Sequence, residues 1–93
     1  MKILLTERFQ KDLSKRTQVE RARFLETMLE LPASLKNPHR HSGTGIRKLH
    51  RSGIYEARVG LGLRLVFALR DGNLILAMVG THDQVRKYLA SLK

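Results

Sequence analysis

Leu63-Arg64-Leu65-Val66-Phe67-Ala68-Leu69-Arg70-Asp71-Gly72-Asn73-Leu74-Ile75-Leu76-Ala77-Met78-Val79 is the stretch that decides the fold. Two apolar runs, 63–69 and 74–79, meet at Asp71-Gly72-Asn73, a turn signal of the kind that closes a β-hairpin. Both runs are too apolar for surface strands, so they predict central strands covered on both faces. Arg64 lies inside the first run and His82 just past the end of the second. A cation in a buried strand is costly unless it is paired or reaches water at the strand's edge. These two residues are therefore the first candidates for a functional site.

Before the hairpin, Ile46 to His50 reads as a short strand, Arg51 to Gly53 as a turn and Ile54 to Gly60 as the next strand. Alternation puts Tyr55, Ala57 and Val59 on one face and Glu56 and Arg58 on the other. Leu61-Gly62 turns the chain into the hairpin. Further upstream, Lys2 to Leu5 predicts a short edge or second strand. Thr6 can cap a helix that begins at Glu7 and ends near Thr17, with Phe9 and Leu13 on one face. A second helix is predicted from about Gln18 to Leu31, with a stripe of Ala22, Leu25, Met28 and Leu29 widened by Phe24 and Leu31. Pro32 is expected to stop it. Residues 32–45 predict a basic loop. After the hairpin, Thr81 and Gln84 form a capping-box pattern for a last helix whose Val85, Leu89 and Leu92 face the core. The expected fold is α+β. An N-terminal helical hairpin packs on a mainly antiparallel β-sheet, and a short C-terminal helix follows, in the order β-α-α-β-β-β-β-α.

Ninety-three residues with 42% apolar content predict one small domain, 1–93, around a single core. The absence of cysteine excludes a disulfide frame and a thiolate zinc site. No stretch approaches a membrane span, and a cytoplasmic protein is the default expectation. The net charge is +10, unevenly spread: residues 36–64 hold seven basic side chains and one acidic one, together with His39, His41 and His50. A polyanionic partner follows, nucleic acid before a membrane surface. The plain alternative is a soluble basic domain whose charges form a solvated face. His39 and His41 stand two apart with no acid or thiol beside them, so they are read as solvated histidines and no metal or cofactor is predicted.

Three segments carry a family likeness: K-L-H-R-S-G-I-Y-E-A-R-V (48–59), L-R-L-V-F (63–67) and V-G-T-H-D-Q-V (79–85). In that order and spacing, the chain resembles the RelE/ParE toxin superfamily of type II toxin–antitoxin systems over nearly its whole length. The resemblance implies a toxin with a cognate antitoxin protein as partner. In the RelE-, YoeB- and YafQ-like branch it implies an mRNA interferase, an endoribonuclease that cuts mRNA on the ribosome. In the ParE-like branch it implies a DNA gyrase inhibitor without RNase activity. Arg64 matches the strand arginine used beside the scissile phosphate, His82 the histidine near the C-terminus, and Arg58 the second basic residue of the preceding strand. Three positions depart from the pattern. The first basic position of that strand is Glu56, the YoeB-like glutamate falls near Gly45, and the last-helix tyrosine falls on Arg86, with Tyr88 two residues later.

Cutting RNA by internal attack needs a base for the 2′-hydroxyl proton, cations on the phosphorane oxygens and an acid for the leaving 5′-oxygen. Arginine suits the second task because its fork binds phosphate bidentately and stays charged. Arg64 and Arg58 are assigned to it. The alternatives are a strand-end cation paired with Glu56 for Arg64, and an ordinary solvent-face charge for Arg58. His82 is the expected general acid, an imidazole being suited to proton exchange near neutral pH, against the alternative of a polar residue near a helix cap. Glu56 is the leading base by elimination, or else a salt-bridge partner of Arg58 or Arg64. His50 is the weaker candidate. Arg40, Arg47, Lys48 and Arg51 are expected to bind backbone phosphates, with His50 among them on the RNA-binding surface and Arg86, Lys87 and Tyr88 extending it. Tyr88 either stacks on a base or belongs to the core. A non-toxic RNA-binding module is a third possibility.

Overall fold

The computed structural model describes residues 1–36 and 45–92, and the predicted loop residues His39, Arg40 and His41 lie outside that range. The elements are β1 (Ile3–Leu5), α1 (Glu7–Ser14), α2 (Gln18–Lys36), β2 (Arg47–His50), β3 (Ile54–Val59), β4 (Leu63–Arg70), β5 (Asn73–Thr81) and α3 (His82–Ser91). The element order is the one the sequence predicts. The five strands form one sheet in the order β1-β5-β4-β3-β2, with β1 parallel to β5 at one edge and the other pairs antiparallel.

The β4–β5 turn closes as expected. Asp71 and Gly72 both have positive φ, 52° and 75°, and Arg70 faces Asn73 across the ladder. Two left-handed residues match the right-handed twist of the flanking strands, which is why Asp-Gly is favoured there.

Strand alternation divides the apolar side chains between two layers. Tyr55, Ala57 and Val59 of β3, Leu65 and Phe67 of β4, and Leu74, Leu76 and Val79 of β5 pack with Phe9, Phe24 and Leu31 of the N-terminal helices. On the opposite face, Ile54, Val66 and Met78 pack under Val85 of α3, with Tyr88, Leu89 and Leu92 at the margin. The β4–β5 register slips between Val66 and Phe67, so Leu76 and Met78 face consecutive β4 residues and Ala77 is the extra one. Such a bulge reverses the alternation beyond it. It lets Val79 join the first layer and brings Gly80 to the α3 side, opposite Arg64.

Both predicted caps are present. Thr6 Oγ1 accepts from Phe9 N at 3.1 Å, and Thr81 and Gln84 form a complete capping box. A third pair caps α2: Thr17 N donates to Glu20 Oε1 at 3.0 Å, and Glu20 N donates to Thr17 Oγ1 at 3.2 Å. The first helix stops at Ser14, three residues before the predicted end, because this second cap needs the chain to leave the helix first.

Two expectations for α2 are corrected. The helix continues through Pro32 to Lys36. Proline removes one backbone donor, but the following turn packs Leu35 on the core beside buried Leu31, and that burial offsets the loss. The buried stripe also differs. Phe24, Met28, Leu31 and Leu35 face the sheet, whereas Ala22, Leu25 and Leu29 face outward, with Leu29 69% exposed. The chain offers two apolar stripes on one helix, and the one containing the phenylalanine buries more area.

Candidate active site

The site is built on the sheet face that α3 only partly covers. Glu56 and Arg58 alternate onto that face from β3. Arg64 is the cross-strand neighbour of Arg58, and Arg47 on β2 is the cross-strand neighbour of Glu56. Arg64 faces Gly80 on β5, and His82 follows two residues later as the first residue of α3. Gly45, Arg47, Glu56, Arg58, Arg64 and His82 line one cavity of about 150 Å³. The arginine and the histidine singled out in the sequence therefore open onto the same space.

Glu56 is the only charged side chain buried among the described residues, 4% exposed. Its burial is compensated by two guanidinium groups. Arg64 Nε stands 3.0 Å from Oε2, and Arg47 Nη2 stands 3.3 Å from Oε1. Arg64 also donates from Nη1 to the Leu63 carbonyl at 3.0 Å, which fixes the guanidinium plane. Its side chain is 18% exposed, against 67% for Arg47, so Arg64 is the partner held in the low-dielectric part of the site. The side chains of Arg58 and His82 have no hydrogen-bond or ion-pair partner among the described residues. Three guanidinium groups against one carboxylate leave the cavity with a net positive charge, which suits an anionic ligand.

Gly45, where the resemblance would place a glutamate, has a constrained backbone. Its φ is +60°, and a Cβ there would stand 3.0 Å from Arg58 Cβ. A side chain at this position would strain the backbone and press on Arg58, so a glutamate there would carry a conformational cost.

The remaining candidates are spread more widely. Lys48 faces Tyr55 across the β2–β3 ladder, so it points to the opposite side of the sheet from Arg47. His50 is engaged in its own turn: Nδ1 meets Ser52 Oγ at 2.6 Å and accepts from Ser52 N at 3.1 Å. Arg51 is exposed in the same turn. Arg86 and Lys87 line a separate shallow groove with Asp83 and Ala90 on the outer side of α3. Tyr88 is half-buried at the margin of the second layer, with the Arg8 guanidinium 5.7 Å from its ring centroid. That placement favours the core reading of Tyr88 over a stacking platform.

No family model matches the chain, and no curated protein matches it by sequence. Solved structures do match. The RelB–RelE antitoxin–toxin complex from Methanococcus jannaschii gives a TM-score of 0.67 at 20% identity, covering 91% of this chain and 96% of that one. The DinJ–YafQ complex from E. coli gives 0.63 at 23% identity, covering 89% and 94%. The YoeB–YefM complex from Staphylococcus aureus gives 0.61 at 22% identity, covering 88% and 97%. The chain has the fold of the RelE, YafQ and YoeB proteins, along nearly the whole length of each partner in the comparison.

Proposed function

We propose that this chain is the toxin of a type II toxin–antitoxin pair and acts as a ribosome-dependent endoribonuclease on mRNA. The observation that carries the reading is the convergence of Arg58, Arg64 and His82 on one positively charged cavity. The likeness to structures solved with antitoxins supports a cognate antitoxin as partner.

The chemistry follows from the side chains. Arg58 and Arg64 hold the scissile phosphate and stabilise the charge that gathers on its oxygens as the 2′-hydroxyl attacks. His82, whose side chain has no hydrogen-bond or ion-pair partner among the described residues, protonates the departing 5′-oxygen. Glu56 has two successive tasks. In the free protein it orients Arg64. When phosphate draws the guanidinium away, Oε2 is uncovered inside the same cavity and can accept the 2′-hydroxyl proton. The products are a 2′,3′-cyclic phosphate and a 5′-hydroxyl end, formed without a metal. Arg47, exposed at the cavity rim, binds a neighbouring backbone phosphate.

The test is cleavage of mRNA on programmed ribosomes by purified protein in excess chelator, with analysis of the new ends. Cyclic phosphate and 5′-hydroxyl termini are expected. Intact mRNA, accompanied by inhibited DNA supercoiling in a gyrase assay, would favour the ParE-like alternative.

A further inference from the structure

The cavity takes its phosphate-binding groups from strands and its imidazole from a helix, so something must hold the two in register. Gln84 stands between the helix and the strands. Its Oε1 accepts from Thr81 N at 2.8 Å, closing the cap of α3, and from Arg16 Nη2 at 3.1 Å. Arg16 lies at the α1–α2 junction, beside the Thr17–Glu20 cap, and its carbonyl accepts from Arg21 Nη1 at 2.6 Å. One oxygen thus ties the start of α3, where His82 sits, to the start of α2.

The same side chain lies over Gly80. A Cβ on Gly80 would stand 2.6 Å from Gln84 Oε1 and 3.0 Å from Gln84 Cβ. Gly80 is the cross-strand neighbour of Arg64. The absence of a side chain at residue 80 lets the first turn of α3 settle directly on the strand pair that carries Arg64.

We infer that Gln84, held by Arg16, is a positioning residue that sets the place of the His82 imidazole relative to Arg64. The inference rests on the endoribonuclease reading. Small displacements of a reacting group cost rate out of proportion to their size, so the effect belongs to the chemical step and not to RNA affinity.

The experiment is single-turnover cleavage on programmed ribosomes with Gln84→Ala, Gln84→Glu and His82→Ala, alone and with Gln84→Ala and His82→Ala combined. Gln84→Ala is expected to slow cleavage about ten- to a hundredfold with unchanged half-saturation. Gln84→Glu keeps an acceptor for both donors and is expected to retain most of the rate. In the His82→Ala background, Gln84→Ala is expected to have no further effect. An equal loss in Gln84→Ala and Gln84→Glu, or the same factor lost with and without His82, overturns the positioning role. A wild-type rate in His82→Ala instead overturns the reading of the site, a separate result.

Discussion

Arg64 Nε and Glu56 Oε2 stand 3.0 Å apart, so the cation inside the apolar hairpin is neutralised before any ligand arrives. The pair reconciles two demands. It makes a charged residue tolerable in a central strand, and it holds a guanidinium at the wall of the cavity, where the proposed mechanism needs one.

Glu56→Ala removes the counter-charge of a mostly buried arginine and is expected to lower stability by about 2–3 kcal/mol. Urea unfolding measures this. Glu56→Gln keeps an oxygen for Arg64 and is expected to fold with a smaller loss. Its cleavage rate separates the two tasks of Glu56: a loss on the order of a hundredfold or more marks a proton acceptor, whereas a loss of a few-fold marks an orienting partner alone.

Gly45→Ala introduces a Cβ at φ +60°, 3.0 Å from Arg58 Cβ. It is expected to cost about 1–2 kcal/mol and to weaken cleavage through displaced Arg58. Gly45→Glu is expected to be no better, because the backbone there cannot present a base without moving. Thermal unfolding and cleavage assays on both variants check this.

Pro32→Ala restores a backbone donor within α2 and is expected to stabilise the protein by about 1–2 kcal/mol, less than the full proline penalty because the unfolded chain also gains freedom. Denaturant midpoints measure the gain. Cleavage should be unaffected, since Pro32 is not among the described residues that line the cavity.

These cases show where the sequence speaks clearly and where it does not. The β4–β5 hairpin was legible because Asp71-Gly72 demands a specific turn and both strands are continuously apolar. The α3 start was legible because Thr81 and Gln84 supply a reciprocal cap. The face of α2 was not, since Leu25 and Leu29 compete with Phe24 and Leu31 and only the sheet decides between them. The end of α2 is not set by local signals, because tertiary burial of Leu35 outweighs the local effect of Pro32. In the site, alternation alone placed Glu56 and Arg58 on one face. No local pattern could reveal that Arg47 completes the carboxylate's shell, or that Arg16 reaches Gln84 from 68 positions away.

Arg86 and Lys87 lie outside the cavity, on the outer face of α3. Replacing either with Ala is expected to weaken RNA binding evenly across sequences and to lower the salt slope by about one per lost phosphate contact. The rate of bound mRNA cleavage should stay at the wild-type value. Binding titrations over a range of salt concentrations, beside single-turnover rates, make the comparison.

Mapping mRNA 5′ ends in bacteria that express the protein tests the central claim most directly. Codon-phased cuts in wild type, reduced on the order of a hundredfold in Arg64→Ala and lost likewise in His82→Ala, are the predicted result. Intact mRNA with DNA breaks and an SOS response, or cuts that persist undiminished in both variants, would contradict it.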